Sequence, residues 1–162
     1  MEAETPLAET TDLRNAIASM YDDVRGLLAR LPVYDRAPDS EHERRLRQAI
    51  GQLMISPIRD ARVARRLADG HAGASFGPGR LLDVITDWRL QRALSRATRR
   101  DLFAAWESGF NELFSSLNDA AEPALADADR PGARARAISH LRATPARVNE
   151  HVSEVQRLIE AR

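Results

Sequence analysis

The sequence predicts an all-α protein, a single-domain helical bundle of five to seven helices. Apolar residues recur at spacings of three and four along nearly the whole chain, and no run alternates with a period of two for long enough to form a strand. The length of 162 residues and the hydrophobic content of 43% suit one domain with its own core. We therefore expect a flexible acidic tail over residues 1–10 and a bundle domain over residues 11–162.

The first helix is predicted to begin after an N-cap at Thr11 or Asp12 and to end before Pro32, which cannot continue a helix. Its apolar residues are spaced 4, 3, 4, 3 and 4 apart, which is a heptad seam. They are Leu13, Ile17, Met20, Val24, Leu27 and Leu31. Such a seam packs inside the bundle or, in a dimer formed by helix exchange, against a second chain.

Two further helices are predicted between residues 40 and 70. Ser40 and Glu43 have the spacing of a capping box, which begins a helix. Ser56 and Pro57 indicate the N-cap and first position of a separate third helix, with Gly70 as its terminator. The inward-facing residues of the two helices are Leu46, Ala49, Ile50, Leu53, Ile58, Ala61, Ala64 and Leu67.

Residues 70–79, GHAGASFGPG, predict a loop, because glycine and proline at this density do not sustain a helix. Backbone amides before a helix N-terminus attract anions, and Arg80 follows the loop, so an anion site is the alternative to a plain connection. The loop matches neither the lysine-containing phosphate-loop motif nor GxGxxG. The plain connection is therefore the preferred interpretation.

The apolar residues that follow this loop predict a fourth helix and then the core helix. The fourth begins with Leu81, Val84, Ile85 and Trp88, and the core helix carries Phe103, Trp106, Phe110, Leu113, Phe114 and Leu117. Whether the two join through Thr98 is open. Gly109 interrupts the core helix, which indicates close packing, a kink or a gap beside the rings.

The last third of the chain predicts a Pro-containing connection over residues 121–132 and then two helical segments. Ala137, Ile138 and Leu141 belong to the first segment, and Thr144 with Pro145 begins the final helix. The apolar residues of the final helix are Val148, Val152, Val155 and Ile159.

Positive charge comes only from arginine, and it falls in blocks. Residues 89–100 hold five Arg and no acid, residues 101–129 hold seven acids and no Arg, and residues 130–147 hold five Arg and no acid. The planar guanidinium fork suits carboxylates and phosphates. Each block therefore requires partners either within the fold or on another molecule.

The candidate partner-binding residues form two arginine stripes. Positions 89, 92, 96 and 99 are spaced 3, 4 and 3 apart, which predicts four guanidinium groups along one side of a helix. The residues of the longer stripe are Arg89, Arg92, Arg96 and Arg99, and those of the shorter stripe are Arg59, Arg62 and Arg66. The competing interpretation pairs these groups internally with the acidic segment 101–129 as solvated ion pairs.

Several site classes are disfavoured by what the sequence lacks. The absence of cysteine excludes a disulfide framework, thiolate zinc sites and a cysteine nucleophile. None of the histidines stands in a Glu-x-x-His or HExxH motif, so we expect no metal site and no cofactor; they are His42, His71, His140 and His151. His71 lacks a rigidly held partner, which argues against an enzyme. The first twelve residues hold no cation, and we expect a cytoplasmic protein without membrane attachment.

These observations predict a non-enzymatic protein–protein interaction or assembly module that presents an Arg-rich helix face to a protein partner or to a second copy of itself. One alternative is a small helical subunit of a nucleoprotein complex, binding nucleic-acid backbone non-specifically, with Trp88 stacked on a base. The sequence pI of 6.9 argues against it. The other alternative is a small-molecule sensor with a pocket beside the aromatic residues at 103–114.

Overall fold

The computed structural model describes residues 6–31, 38, 40–70, 78–121 and 132–161, without the side chains of residues 6–9 and 78–83. This part of the chain forms six α-helices and no strand, which confirms the all-α prediction. The helices are α1 (Pro6–Arg30), α2 (Glu41–Ala68), α3 (Pro78–Leu94), α4 (Arg99–Ala121), α5 (Ala133–Arg142) and α6 (Thr144–Glu160). Only Ala143, itself in the right-handed helical conformation, separates α5 from α6.

Helix α2 lies at the centre of the bundle. Helices α3, α4, α5 and α6 all pack against it, and α1 packs against α4 and α6. Between Ala49 and Pro57 every residue of α2 except Gln52 is buried. A helix surrounded in this way contributes to the core around its whole circumference, so it sets the positions of its neighbours.

The prediction of a separate helix beginning at Ser56 and Pro57 is wrong, because α2 continues through both residues to Ala68. Proline inside a helix removes one backbone hydrogen bond and crowds the preceding turn. Here Pro57 is buried, and its ring faces Gly109 of α4 across a close helix contact. Tertiary packing therefore maintains the helix at a position where the local sequence favours a break.

The ends of α2 follow the sequence signals. The Ser40 hydroxyl accepts a hydrogen bond from the Glu43 amide at 3.1 Å, which confirms Ser40 as the N-cap and the hydroxyl half of the predicted capping box. The Glu43 carboxylate lies 2.6 Å from the Arg47 guanidinium in a buried ion pair. Gly70 follows the helix with φ of 78° and donates its amide to the Leu67 carbonyl, which confirms it as the terminator.

Helix α1 begins at Pro6, before the predicted N-cap at Thr11 or Asp12. Proline is well suited to the first position of a helix, since its φ is already helical and its missing N–H has no partner to lose. The predicted seam is confirmed, because its residues are all buried: Leu13, Ile17, Met20, Val24, Leu27 and Leu31. The helix ends at Arg30, shortly before Pro32, as expected.

Helices α3 and α4 are separate, which resolves the open question at Thr98. The Thr98 hydroxyl donates to the Asp101 carboxylate at 2.7 Å, and the Thr98 amide donates to the same oxygen at 2.9 Å. The Asp101 amide points back toward the Thr98 hydroxyl at 3.3 Å. This is a capping box with Asp in place of Glu, and it begins α4. The hydrogen bonds from Thr98 hold the pKa of the Asp101 carboxyl below its ordinary value.

Helix α4 is the core helix that the aromatic spacing predicts. Trp106 is fully buried, and its indole N–H donates to the Tyr21 carbonyl of α1 at 3.3 Å. The Tyr21 ring lies 4.4 Å from that of Phe110, which in turn lies 5.6 Å from Phe114. The tilted contact between the Tyr21 and Phe110 rings joins α1 to α4.

Two glycines bring neighbouring helices close to α2. A Cβ atom added at Gly109 would lie 3.1 Å from the Pro57 ring and 3.2 Å from Ile58. A Cβ atom at Gly51 of α2 would lie 3.3 Å from the Gln91 side chain of α3. Of the possibilities that the sequence left open at Gly109, the structure therefore shows close packing.

The predicted flexible tail covers residues 1–10, but residues 6–10 belong to α1, and residues 1–5 lie outside the described residues. Most of the Gly-rich loop over residues 70–79 and most of the predicted connection over residues 121–132 also lie outside them. The anion site at residues 70–79 and the role of His71 therefore stay predictions. Among the helices of the described part, none is long and apolar enough to cross a membrane.

We predict that Gly109→Ala destabilises the fold by about 1–3 kcal/mol, because the added methyl group meets a proline ring that cannot rotate away. Gly26→Ala is the matched control. Gly26 is an exposed residue in the middle of α1, and nothing lies near a Cβ atom added there. This substitution should stabilise the fold by about 0.5–1 kcal/mol. Urea unfolding of the two variants measures both values. Equal stabilisation by the two substitutions would contradict the close approach at Gly109.

Candidate interaction surface on helix α3

Helix α3 carries apolar side chains on two sides. Leu94 is buried and Leu90 half-buried on the side that faces α2. On the other side Val84, Ile85 and Trp88 are 58%, 40% and 56% exposed, and they are the large hydrophobic side chains that the described residues leave exposed. Exposed apolar side chains grouped on one helix face are typical of an interaction surface.

Arginines border this apolar cluster. The Arg92 guanidinium lies 5.5 Å from the centre of the Trp88 ring, within the range of a cation–π contact. Arg89 on α3 and Arg96 in the following turn are both exposed. Within the described part of the chain, no carboxylate lies at ion-pair distance from these three arginines. We call the set of Val84, Ile85, Trp88, Arg89, Arg92 and Arg96 the α3 surface.

The predicted stripe of four arginines on one helix is wrong in its geometry. Arg89 and Arg92 belong to α3, Arg96 lies in the turn and Arg99 is the first residue of α4. The Thr98–Asp101 capping box ends the continuity that the spacing assumed. Arg99 is half-buried and donates a hydrogen bond to the Leu31 carbonyl just past α1, so it acts inside the fold.

The shorter stripe serves mainly to attach α3 to α2. Arg59 and Arg62 of α2 lie 3.2 Å and 3.0 Å from the two carboxylate oxygens of Asp87, whose side chain is only 15% exposed. Arg66 is half-buried. The Asp87 contacts fix the rotation of α3 about its axis, and this rotation turns Trp88 outward.

The acidic segment 101–129 takes part in one ion pair within the described residues, between Glu112 and Arg65 of α2 at 2.8 Å. Both side chains are exposed, so the pair contributes only about 0–1 kcal/mol. Within the described residues, arginines therefore pair with Asp87 and Asp60 more than with the acidic segment 101–129.

A second polar cluster joins α2 to the α5–α6 junction, and the sequence analysis missed it. Buried Asp60 lies 3.3 Å from the His140 ring nitrogen and 2.9 Å from the Arg147 guanidinium. Arg147 also donates to the His140 carbonyl at 3.1 Å and to the Thr144 hydroxyl at 3.3 Å. Burial raises the pKa of Asp60, but hydrogen bonds from His140, Arg147 and Thr144 outweigh burial and hold the pKa below its ordinary value.

The chemistry of this cluster is structural. An Asp–His pair serves a nucleophile when the histidine can take its proton, but the hydroxyl in this cluster belongs to Thr144, which is fully buried and accepts from Arg147. Asp60 belongs to α2, His140 to α5, and Thr144 and Arg147 to α6. The cluster therefore fixes the angle at which α5 and α6 pack on α2.

An open depression of about 500 Å³ lies between α1 and α4, beside Phe103 and Glu107. Phe103 is one of the aromatic residues beside which the sequence suggested a pocket, but this depression opens widely to solvent. Trp106, Phe110 and Phe114 pack into or against the core instead. Across the described ranges, no three His, Asp or Glu side chains are grouped to hold a metal ion.

We predict that Asp60→Asn lowers stability at neutral pH by about 1–3 kcal/mol, because Arg147 loses its charged acceptor. A carboxyl with a lowered folded-state pKa stabilises the fold above its ordinary pKa of 3.8, and this stabilisation is lost as pH falls through the lower folded value. Urea unfolding from neutral pH into this acidic range should therefore show a smaller pH dependence in the variant. The exposed Asp23→Asn variant is the control, and a wild-type profile from Asp60→Asn would refute the role of the cluster.

We also predict that Trp88 and Trp106 differ in their access to charged quenchers. Trp88 is exposed beside arginines, whereas Trp106 is fully buried. When each ion is scaled to its quenching of free N-acetyltryptophanamide, iodide should therefore quench the emission more than caesium does at equal ionic strength. Trp88→Phe should remove nearly all of this quenching. Arg92→Glu/Arg96→Glu should reverse the preference between the two ions with the fold intact. Equal quenching by both ions in the wild type would contradict the basic character of the α3 surface.

The α3 surface thus combines exposed apolar side chains, a tryptophan covered in part by arginine, and cations without internal carboxylate partners in the described structure. Its position follows from the Asp87 contacts and from the close approach of α3 at Gly51. Comparison with known proteins adds no assignment, since the chain matches no family model, no curated protein and no solved structure.

Proposed function

We propose that this protein is a non-enzymatic helical module that binds another protein through the α3 surface. The observation that carries the proposal is the grouping of exposed Val84, Ile85 and Trp88 beside Arg92 on one helix face. Tryptophan and arginine are the residue types that contribute most to binding energy at protein interfaces. A protein partner that covers this cluster would remove apolar surface from water. A carboxylate on that partner would pair with Arg92.

The rigid attachment of α3 supports the same function. The Asp87 ion pairs and the Gly51 contact hold α3 on α2 through residues that lie outside the α3 surface. An interface on a fixed helix loses little conformational entropy on binding. The bundle therefore serves as a scaffold that presents a preformed surface.

A nucleoprotein role is the second candidate, favoured by exposed Arg89, Arg92 and Arg96. It is weaker for two reasons. The predicted four-arginine stripe is divided between two helices and the turn that joins them. Arg59 and Arg62 of the shorter stripe already pair with Asp87. The apolar side chains of Val84 and Ile85 have no hydrogen-bond donor or charge with which to bind a phosphate backbone.

A photo-crosslinking experiment tests the protein-binding proposal. A benzophenone amino acid replaces Ile85 on the α3 surface or, as the control, Glu154 on the exposed side of α6, and the chain is expressed in its source organism. We expect a discrete protein adduct at position 85 that is absent at position 154. The Arg92→Glu/Arg96→Glu background should abolish the adduct, while circular dichroism shows an unchanged helical fold.

Two outcomes would overturn the proposal. Equal labelling at positions 85 and 154 would mean that α3 is not an interface. Loss of the folded state in the double variant would mean that the arginines act inside the bundle, contrary to their exposed positions.

A further inference from the structure

We infer that the partner of the α3 surface is an acidic, amphipathic segment of another protein, with apolar side chains that cover Val84, Ile85 and Trp88 and carboxylates that reach Arg89, Arg92 and Arg96. This inference rests on the proposed function and specifies its partner. It depends on how charge and apolar area are distributed along α3.

Along the exposed face of α3, apolar side chains come first and arginine follows. Val84 and Ile85 lie toward the N-terminal end of the exposed face, Trp88 follows one turn later, and Arg92 follows after another turn. From position 84 to position 92 the helix rises about 12 Å. A matching segment therefore presents apolar groups at one end and acidic groups at the other, within the length of two or three helical turns.

No described carboxylate pairs with the three arginines of the α3 surface, which are exposed to water. Asp87 is the nearest acid on α3 that has a described side chain, and both of its oxygens are engaged by Arg59 and Arg62. Arg89, Arg92 and Arg96 have no carboxylate at ion-pair distance among the described residues. Covering them with a neutral surface would desolvate cations without compensation, which an acidic segment avoids.

The same reasoning disfavours a second copy of this chain. A two-fold contact presents the same patch on both sides. If Trp88 of each copy met at the axis, Arg92 of one copy would lie over Val84 of the other, and neither guanidinium would gain a carboxylate. Charge complementarity between unlike surfaces is satisfied only by an acidic partner.

Three short synthetic helical peptides test the inference. They share the same leucine positions and differ only in carrying Glu, Gln or Lys at the remaining exposed positions. Binding is followed by anisotropy of a peptide label and by the blue shift of Trp88 emission, with Trp88→Phe as the spectroscopic control.

We expect the Glu peptide to bind and its affinity to fall with added salt, with the Gln and Lys peptides at least about tenfold weaker. The Arg92→Glu/Arg96→Glu variant should reverse the order and prefer the Lys peptide. This charge exchange cannot arise from misfolding, because a misfolded chain would lose both interactions.

Other results would overturn the inference. If the Gln peptide binds as tightly as the Glu peptide, the partner need not be acidic. If none of the three peptides binds, the inference is also wrong. Self-association that is lost on Trp88→Ala would identify a second copy as the occupant, and tighter binding of duplex DNA than of the Glu peptide would identify phosphate. If a protein adduct still forms at position 85 after any of these results, the interaction function stands and only the acidic partner is wrong.

Discussion

The continuity of α2 through Pro57 is the constraint on which the rest of this structure depends. A break there would separate Gly51, where α3 approaches, from Asp60, where α5 and α6 are fixed. The proline removes a backbone hydrogen bond inside the core, and the absence of a side chain at Gly109 lets α4 pack directly on its ring. The unbroken helix therefore carries two attachment points in one rigid element, and α3 and the α5–α6 pair are held in fixed relation to each other.

Arginine side chains donate hydrogen bonds to backbone carbonyls at the ends of three helices. Arg99 donates to the Leu31 carbonyl beyond α1, Arg134 donates to the Ala120 carbonyl near the end of α4 at 2.9 Å, and Arg147 donates to the His140 carbonyl near the end of α5. Carbonyls at a helix C-terminus lack intrahelical donors and carry the negative end of the helix dipole. The three guanidinium groups come from outside the helix whose end they contact, so these hydrogen bonds also hold neighbouring elements together.

The sequence predicts those features of the fold that depend on neighbouring residues. The seam from Leu13 to Leu31, the start of α2 at Ser40 and its end at Gly70 are all local patterns, and all are confirmed. The local sequence wrongly predicts a helix start at Pro57, because the contact that accommodates Pro57 inside α2 comes from Gly109, far away in the chain. The break at Thr98 was locally encoded, but in the less common form of a capping box that uses Asp101.

The candidate site shows the same division between local and distant causes. The sequence identified Arg89, Arg92 and Arg96 and the nearby Trp88, yet it grouped them with Arg99, which points inward to Leu31. The Asp60 cluster joins residues on opposite sides of the chain's longest acidic segment, and no spacing rule connects Asp60 to His140 or Arg147. Only the packing of the helices brings these groups together.

The arginines of these blocks have different partners according to where they lie in the fold. Those facing the core bind carbonyls or buried carboxylates, because a guanidinium group removed from water requires strong acceptors. Arg59 and Arg62 are intermediate, since they pair with Asp87 at the edge of α3. Arg89, Arg92 and Arg96 remain in water, next to the large apolar side chains that the described structure leaves exposed. Covering these hydrated guanidinium groups would remove them from water, so an exposed indole beside them favours a partner that supplies both carboxylates and apolar area.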